Sequence, residues 1–187
     1  MTVTAGVPHR EPWTIDDVDD LPDDGNRYEI ADGSLIVSPP PDLPHNSAND
    51  YLGDLLKRQA PTDFRVIAVP TGVDIRRRGS YYIPDLVVVP AAVMRTAAKN
   101  LSPADVLLVA EVLSPSNRLT DLLLKRHDYA AAGIPHYWIV DRVNRTLTVL
   151  VLDDGETTYR EEAVVEPGKT WTTDRPFPIT VDPAELF

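Results

Sequence analysis

Two carboxylates stand where water-seeking groups are least expected. Glu111 lies inside the apolar run Leu107-Leu108-Val109-Ala110-Glu111-Val112-Leu113, and Asp85 follows Pro84 directly before Leu86-Val87-Val88-Val89. A charge buried in such a strand costs several kcal/mol unless it is partnered. Three partners would suffice: a metal ion, a cation such as Lys125, or a second acid sharing a proton. Side chains alternate along a strand, so Asp85 shares a face with Ile83 and Val87, and Glu111 with Val109 and Leu113; both point inward. Two acids at the ends of neighbouring strands repel each other unless a divalent cation lies between them. A metal held by Asp85 and Glu111 would polarise a phosphoryl oxygen and acidify its bound water. Lys125 could orient that water or offset charge in the transition state, and the resulting chemistry is phosphodiester hydrolysis.

Further residues cluster with these in the sequence. Asp121 and Tyr129 lie four positions either side of Lys125 and share its helix face. Asp121 could equally form a plain surface ion pair, and Tyr129 could be core packing with its hydroxyl satisfied at the rim. Glu29, in Tyr28-Glu29-Ile30, has the same inward look and could be a third ligand, or equally an exposed hairpin glutamate. His45 stands at the start of a helix, where a phosphate would be favoured, or is simply a helix-entry residue. Ser114 and Ser116 read best as caps of the turn after the Glu111 strand.

The surrounding elements must position these groups. Thr14 caps a short helix over Thr14 to Val18, and Arg27 to Ala31 with Ser34 to Val37 form a hairpin about Asp32-Gly33. Ala48, Tyr51, Leu52, Leu55 and Leu56 repeat as the stripe of a helix laid on a core. Phe64 to Val69, Gly72 to Arg76 and one longer strand over Tyr81 to Val89 follow. The strand Asp105 to Leu113, a helix from Leu119 to Ala132 stopped by Gly133 and Pro135, and the strand His136 to Val140 make a parallel βαβ unit. Thr146 to Leu152 and Thr157 to Val165 form a second hairpin, and a Pro-rich tail closes the chain. The expected organisation is a loose tail over residues 1–12 and one domain over 13–187, with a partly antiparallel sheet.

At 187 residues the chain can bury a real core, and its 43% hydrophobic content fits a soluble globular protein. No apolar run approaches the roughly 18 residues of a membrane span and no signal peptide is visible, so a cytoplasmic location is expected. With no cysteine, any metal is held by oxygen or imidazole, which favours magnesium or manganese. The net charge of -11 argues against a broad electropositive surface, though not against a local basic groove; the longest basic run, Arg76-Arg77-Arg78, reads best as solvated surface.

An ordered set of short motifs resembles the PD-(D/E)XK nuclease superfamily, and within it the Uma-type branch of restriction-endonuclease-like proteins. It comprises Arg27-Tyr28-Glu29-Ile30-Ala31-Asp32-Gly33, Pro39-Pro40-Pro41 with His45, Pro84-Asp85, Glu111-Val112-Leu113-Ser114-Pro115-Ser116, Asp121 with Lys125 and Tyr129, and Gly133 to Asp141. The resemblance implies an α/β (α+β) fold with a mixed central sheet flanked by helices, to which the terminal hairpins are added. It also implies a DNA-cleaving site with Mg2+ (or Mn2+) on Asp85 and Glu111, Glu29 as accessory acid, and His45, Ser114, Asp121 and Tyr129 near the substrate. The superfamily lysine lies two residues after the glutamate, a position filled here by Leu113; Lys125 on the next helix is the matching position. Two alternatives stay open: a non-catalytic binding or regulatory module on the same fold, and a phosphodiesterase for small nucleotides. A homodimer is expected, because the hairpins could present sheet edges and enzymes that cut both strands often pair two copies.

Overall fold

Valine-rich and aromatic runs punctuated by proline and glycine build most of the protein from short strands, and one of those punctuation marks, Pro84, places the site. The structure, a computed structural model, describes residues 12–75, 79–96, 99–114 and 118–187. The expected tail before Pro12, the Arg76-Arg77-Arg78 run and Pro115, Ser116 and Asn117 lie outside the described residues.

The first helix, α1 (Ile15–Asp19), is closed by a full capping box between Thr14 and Asp17. Strands β1 (Arg27–Ala31) and β2 (Ser34–Ser38) form the expected hairpin. Its two turn residues take left-handed backbone conformations, Asp32 at φ 47° and Gly33 at φ 76°. A Cβ on Gly33 would also stand 2.8 Å from Cβ of Pro12. Gly33→Ala is therefore expected to cost about 1–2 kcal/mol, read as a lower midpoint in urea with an unchanged slope.

Helix α2 (Leu43–Gln59) begins one turn earlier than its apolar stripe suggests, because Asp42 caps it and Pro44 fits the first turn. Ala48, Leu52, Leu55 and Leu56 are buried, whereas Tyr51 is half exposed.

Ten of the strands fall into two sheets. β3 (Phe64–Ile67), β6 (Leu86–Pro90), β7 (Leu108–Val112), β8 (His136–Asp141), β9 (Thr146–Val151) and β10 (Arg160–Val165) form a six-stranded sheet in the order β10-β9-β8-β7-β6-β3. Only the β7–β8 pair in it is parallel, joined by the crossover predicted from the sequence. A four-stranded sheet orders β2-β1-β5-β4, with β4 (Val73–Ile75) and β5 (Ser80–Tyr82). Side-chain alternation gives the larger sheet two apolar faces. One packs Leu86, Val88, Leu108 and Trp138 against α2; the other packs Val87, Val109, Tyr137 and Ile139 against Tyr129.

Three expectations are corrected. The long strand over Tyr81 to Val89 is two strands, β5 and β6, in different sheets. Pro84 has no N–H to offer a ladder, so the chain leaves one sheet there and enters the other, and Asp85 sits at the seam. The helix predicted from Leu119 contains a π-helical stretch over Thr120–Lys125 before α3 (Arg126–Ala131). Its apolar spacing is that of an α-helix, but buried ionic contacts of Asp121 and Lys125 hold the wider winding. The Pro-rich tail is not irregular throughout: β11 (Trp171–Thr173) pairs with β12 (Ile179–Val181), and Phe177, Ile179, Val181 and Leu186 complete the core over α2.

Candidate active site

The seam between the two sheets collects the acids. In the antiparallel β6–β7 pair, Leu86 faces Ala110, so one step further Asp85 stands opposite Glu111. The Val112 N–H donates to Asp85 Oδ2 at 2.8 Å, which ties the two strand ends together. Glu29 enters from β1, accepting the Ile83 N–H at 2.7 Å. Asp121 and Lys125 come from the π-helical stretch and Tyr129 from α3. Asp85, Glu111, Glu29, Asp121 and Lys125 are all buried, each side chain 1–2% exposed.

Lys125 is the hub. Its Nζ lies 2.9 Å from Glu111 Oε1, 3.0 Å from Glu29 Oε1 and 3.3 Å from Asp121 Oδ1, with the Tyr82 ring 5.6 Å away. The Tyr129 hydroxyl donates to the same Glu111 oxygen at 3.1 Å, and the Tyr137 hydroxyl donates to the Asp121 carbonyl at 2.9 Å. Asp85 has its own partners: Arg27 Nη1 at 2.9 Å on Oδ1, and His45 Nε2 at 3.1 Å from Oδ2. The Asn49 side-chain amide donates to the Asp85 carbonyl at 3.1 Å.

The structure thus brings together Asp85, Glu111, Lys125, Glu29, Asp121, Tyr129 and His45. Ser114 stands apart, bordering a second groove of about 570 Å³ with Arg118, Asp141 and Arg142. Sequence reasoning assigned no role to Arg27 or Asn49. The signals were present: Arg27 lies two residues before Glu29 on β1 and Asn49 four after His45 on α2, spacings that share a face.

Charge explains the proton affinities. Burial pushes Asp85 up, but the His45 hydrogen bond and the Arg27 charge overcome it and hold its carboxyl far below the usual range. Glu111 goes the other way. Burial raises it, Lys125 offsets only part, and the charges of Asp121, Asp85 and Glu29 raise it further. Asp121 is pushed up to about 6, first by burial and then by Glu29 and Asp85 against the pull of Lys125. Lys125 is lowered by burial, yet Glu111, Glu29 and Asp121 more than compensate, so it remains a cation.

A consequence for stability follows. Between pH 3.8 and about 6 the folded chain binds a proton at Asp121 that the unfolded chain has already released, so this group makes stability fall as pH rises through that window. Asp121→Asn is expected to remove that slope. It should raise the melting temperature at pH 7.5 by roughly 2–4 °C, the equivalent of about 1 kcal/mol, and change little at pH 4. Melts across the pH range check it; a lower melting temperature at pH 7.5 would contradict the surplus-charge account.

The donor set suits a hard divalent cation. Glu29, Asp85, Glu111 and Asp121 face two permanent cations, Lys125 and Arg27, and on top of burial this shortfall of positive charge raises Glu111 and Asp121 further. Among the described residues no three His, Asp or Glu side chains are gathered tightly enough to enclose an ion by themselves. A bound ion would therefore rest on Asp85 and Glu111 and complete its shell from water or substrate.

The mixed sheet flanked by helices, with paired acids at adjacent strand ends and a lysine from the crossover helix, is an α+β fold with its polar cluster at the sheet seam. The fold matches a solved structure described as "a putative nuclease belonging to DUF820" from Anabaena variabilis ATCC 29413, with a TM-score of 0.68 and 18% identity over 94% of this chain and 98% of that one. The chain belongs to the Uma2 family: the family profile, described as "Putative restriction endonuclease", matches residues 15–184. No curated protein matches it in sequence. Among the described residues, no helix is long and apolar enough to cross a membrane.

Proposed function

We propose that this protein is a metal-dependent endonuclease that hydrolyses phosphodiester bonds in DNA. The observation that carries the reading is the opposition of Asp85 and Glu111 across β6 and β7, in a buried cluster whose acids outnumber its cations. Mg2+ or Mn2+ held by these two carboxylates would supply Lewis-acid polarisation of a phosphoryl oxygen and a more acidic water. The protein's own groups prepare the rest. Arg27, His45 and the Val112 N–H keep Asp85 ionised and aimed. Tyr129 and Lys125 fix one oxygen of Glu111. The Lys125 ammonium, steadied by Glu29 and Asp121, keeps positive charge where a phosphoryl group would gain negative charge. Cleavage of DNA, single-stranded or plasmid, with Mg2+ or Mn2+, lost in Asp85→Ala and Glu111→Ala proteins that still fold, tests the reading. Equal activity in the variants defeats it.

A second reading, the non-catalytic binding or regulatory module, is favoured by a different observation: Lys125 already contacts three acids, and Asp85 already has Arg27 and His45. Titration calorimetry separates the two, since such a module would bind no Mn2+ in a manner that depends on Asp85. We place the active form as a homodimer in the cytoplasm, with sedimentation equilibrium as the check on the dimer.

A further inference from the structure

Resting on the nuclease reading, we infer that the site acts on an unpaired nucleotide, so that single-stranded DNA, and not an intact duplex, is the substrate. The inference starts from a cavity of about 420 Å³ bordering Asp85. Its floor carries the buried His45 and Asp85, and Arg27 and Asn49 stand partly buried along its wall. Its exposed rim sets the apolar Pro40, Pro41, Val69 and Pro70 beside the polar Asn46 and Asp50. That volume holds one small-molecule-sized unit.

Two buried polar atoms in this cavity have no hydrogen-bond partner: Nδ1 of His45 and Oδ1 of Asn49. They lie four residues apart on α2 and border the same space. The other ends of both side chains are engaged, His45 Nε2 against Asp85 and Asn49 Nδ2 against the Asp85 carbonyl. Asn49 Oδ1 is therefore a fixed acceptor awaiting a donor, and a buried polar atom left unpaired costs about 1–3 kcal/mol. A nucleobase meets the requirement, because its N–H groups can reach Asn49 and His45 while its flat apolar faces contact the proline rim.

The duplex is disfavoured by the same geometry. Asp85 lies at the bottom of the recess, whereas paired bases offer only their groove edges, so a paired nucleotide would first have to be extruded at a cost of a few kcal/mol. A net charge of -11 gives little electrostatic return against that cost on a long polyanion.

The test compares one end-labelled oligonucleotide, single-stranded and annealed as a blunt duplex, in Mg2+ and in Mn2+. The single strand is expected to be cut at least tenfold faster. Val69→Trp plugs the mouth from an exposed position and should melt like the parent, and Asn49→Leu removes the acceptor, together with the amide bond to the Asp85 carbonyl, and fills the space; both should lose at least tenfold on the single strand. Equal cleavage of duplex and single strand, or parental rates in Val69→Trp, would overturn the inference and leave the nuclease reading standing. If no DNA is cut, the nuclease reading fails, and calorimetry with dAMP decides the cavity. Binding weakened at least tenfold in both variants supports a nucleotide site, and absent or unchanged binding refutes it.

Discussion

Glu111→Gln is expected to abolish DNA cleavage while leaving the fold intact. Glutamine keeps the length and shape of the side chain, and its carbonyl can still accept the bonds that Lys125 Nζ and the Tyr129 hydroxyl make to Oε1. It also mimics the protonated carboxyl that burial and three neighbouring acids already favour at this position. The melting temperature should therefore change little, or rise. What the amide lacks is the anionic oxygen that would hold a divalent ion opposite Asp85. Electrostatic and Lewis-acid help at such a centre is worth several kcal/mol, and about 4 kcal/mol corresponds to roughly a thousandfold in rate. Initial cleavage rates and thermal melts on the same preparation measure both halves. A variant that cleaves within tenfold of the parent would remove Glu111 from the chemistry.

Lys125→Met has the largest expected effect on stability. The substitution preserves most of the aliphatic stem but leaves Glu29, Glu111 and Asp121 buried without their shared cation. Removing one partner from a buried ionic cluster costs about 3–5 kcal/mol, which for a chain of this size is on the order of 10 °C in melting temperature. The loss should be greatest at pH 8 and shrink toward pH 5. Asp121 already takes a proton at about 6 with the lysine present, and without it the acids protonate more readily. Added Mn2+ should restore part of the lost stability if the acids can accept an ion in place of the ammonium. A variant as stable as the parent at pH 8 would show that the cluster is not held by charge.

These two outcomes bear on different claims. Loss of activity in Glu111→Gln speaks to catalysis, whereas Lys125→Met speaks first to folding, because the same ammonium that could serve the reaction also keeps three acids compatible with a core. A cleavage defect in Lys125→Met alone would not identify a catalytic lysine. Lys125→Arg, which keeps a positive charge in a larger planar group, is the fairer probe of position.

Much of the architecture could be read along the chain wherever local chemistry agrees with the tertiary fold. The Thr14 cap, the Asp32-Gly33 turn, the stripe on α2 and the parallel β7–β8 unit each follow from residues close together in sequence. The inward direction of Asp85, Glu111 and Glu29 was legible for the same reason, since a strand buried on both faces has no solvent side on which to place a carboxylate. Where the reading failed, distant residues made the decision. Prolines suggested an irregular tail, yet β11 and β12 form because α2 presents an apolar surface for Phe177 and Ile179 to cover. Helical spacing around Lys125 suggested a regular α-helix, but the acids it must meet come from β1 and β7 and hold the chain in a wider turn.

The amino-acid sequence by itself determined that Asp85 and Glu111 would be buried and would need partners, because hydrophobic periodicity and the cost of an isolated charge are local facts. Only the tertiary structure decided what those partners are. Pro84 sends the chain from one sheet to the other, bringing Asp85 to Arg27 and His45, while the crossover helix delivers Lys125 to Glu29, Glu111 and Asp121. Ion pairing is decided by a few ångströms in space, and separation along the chain does not encode it.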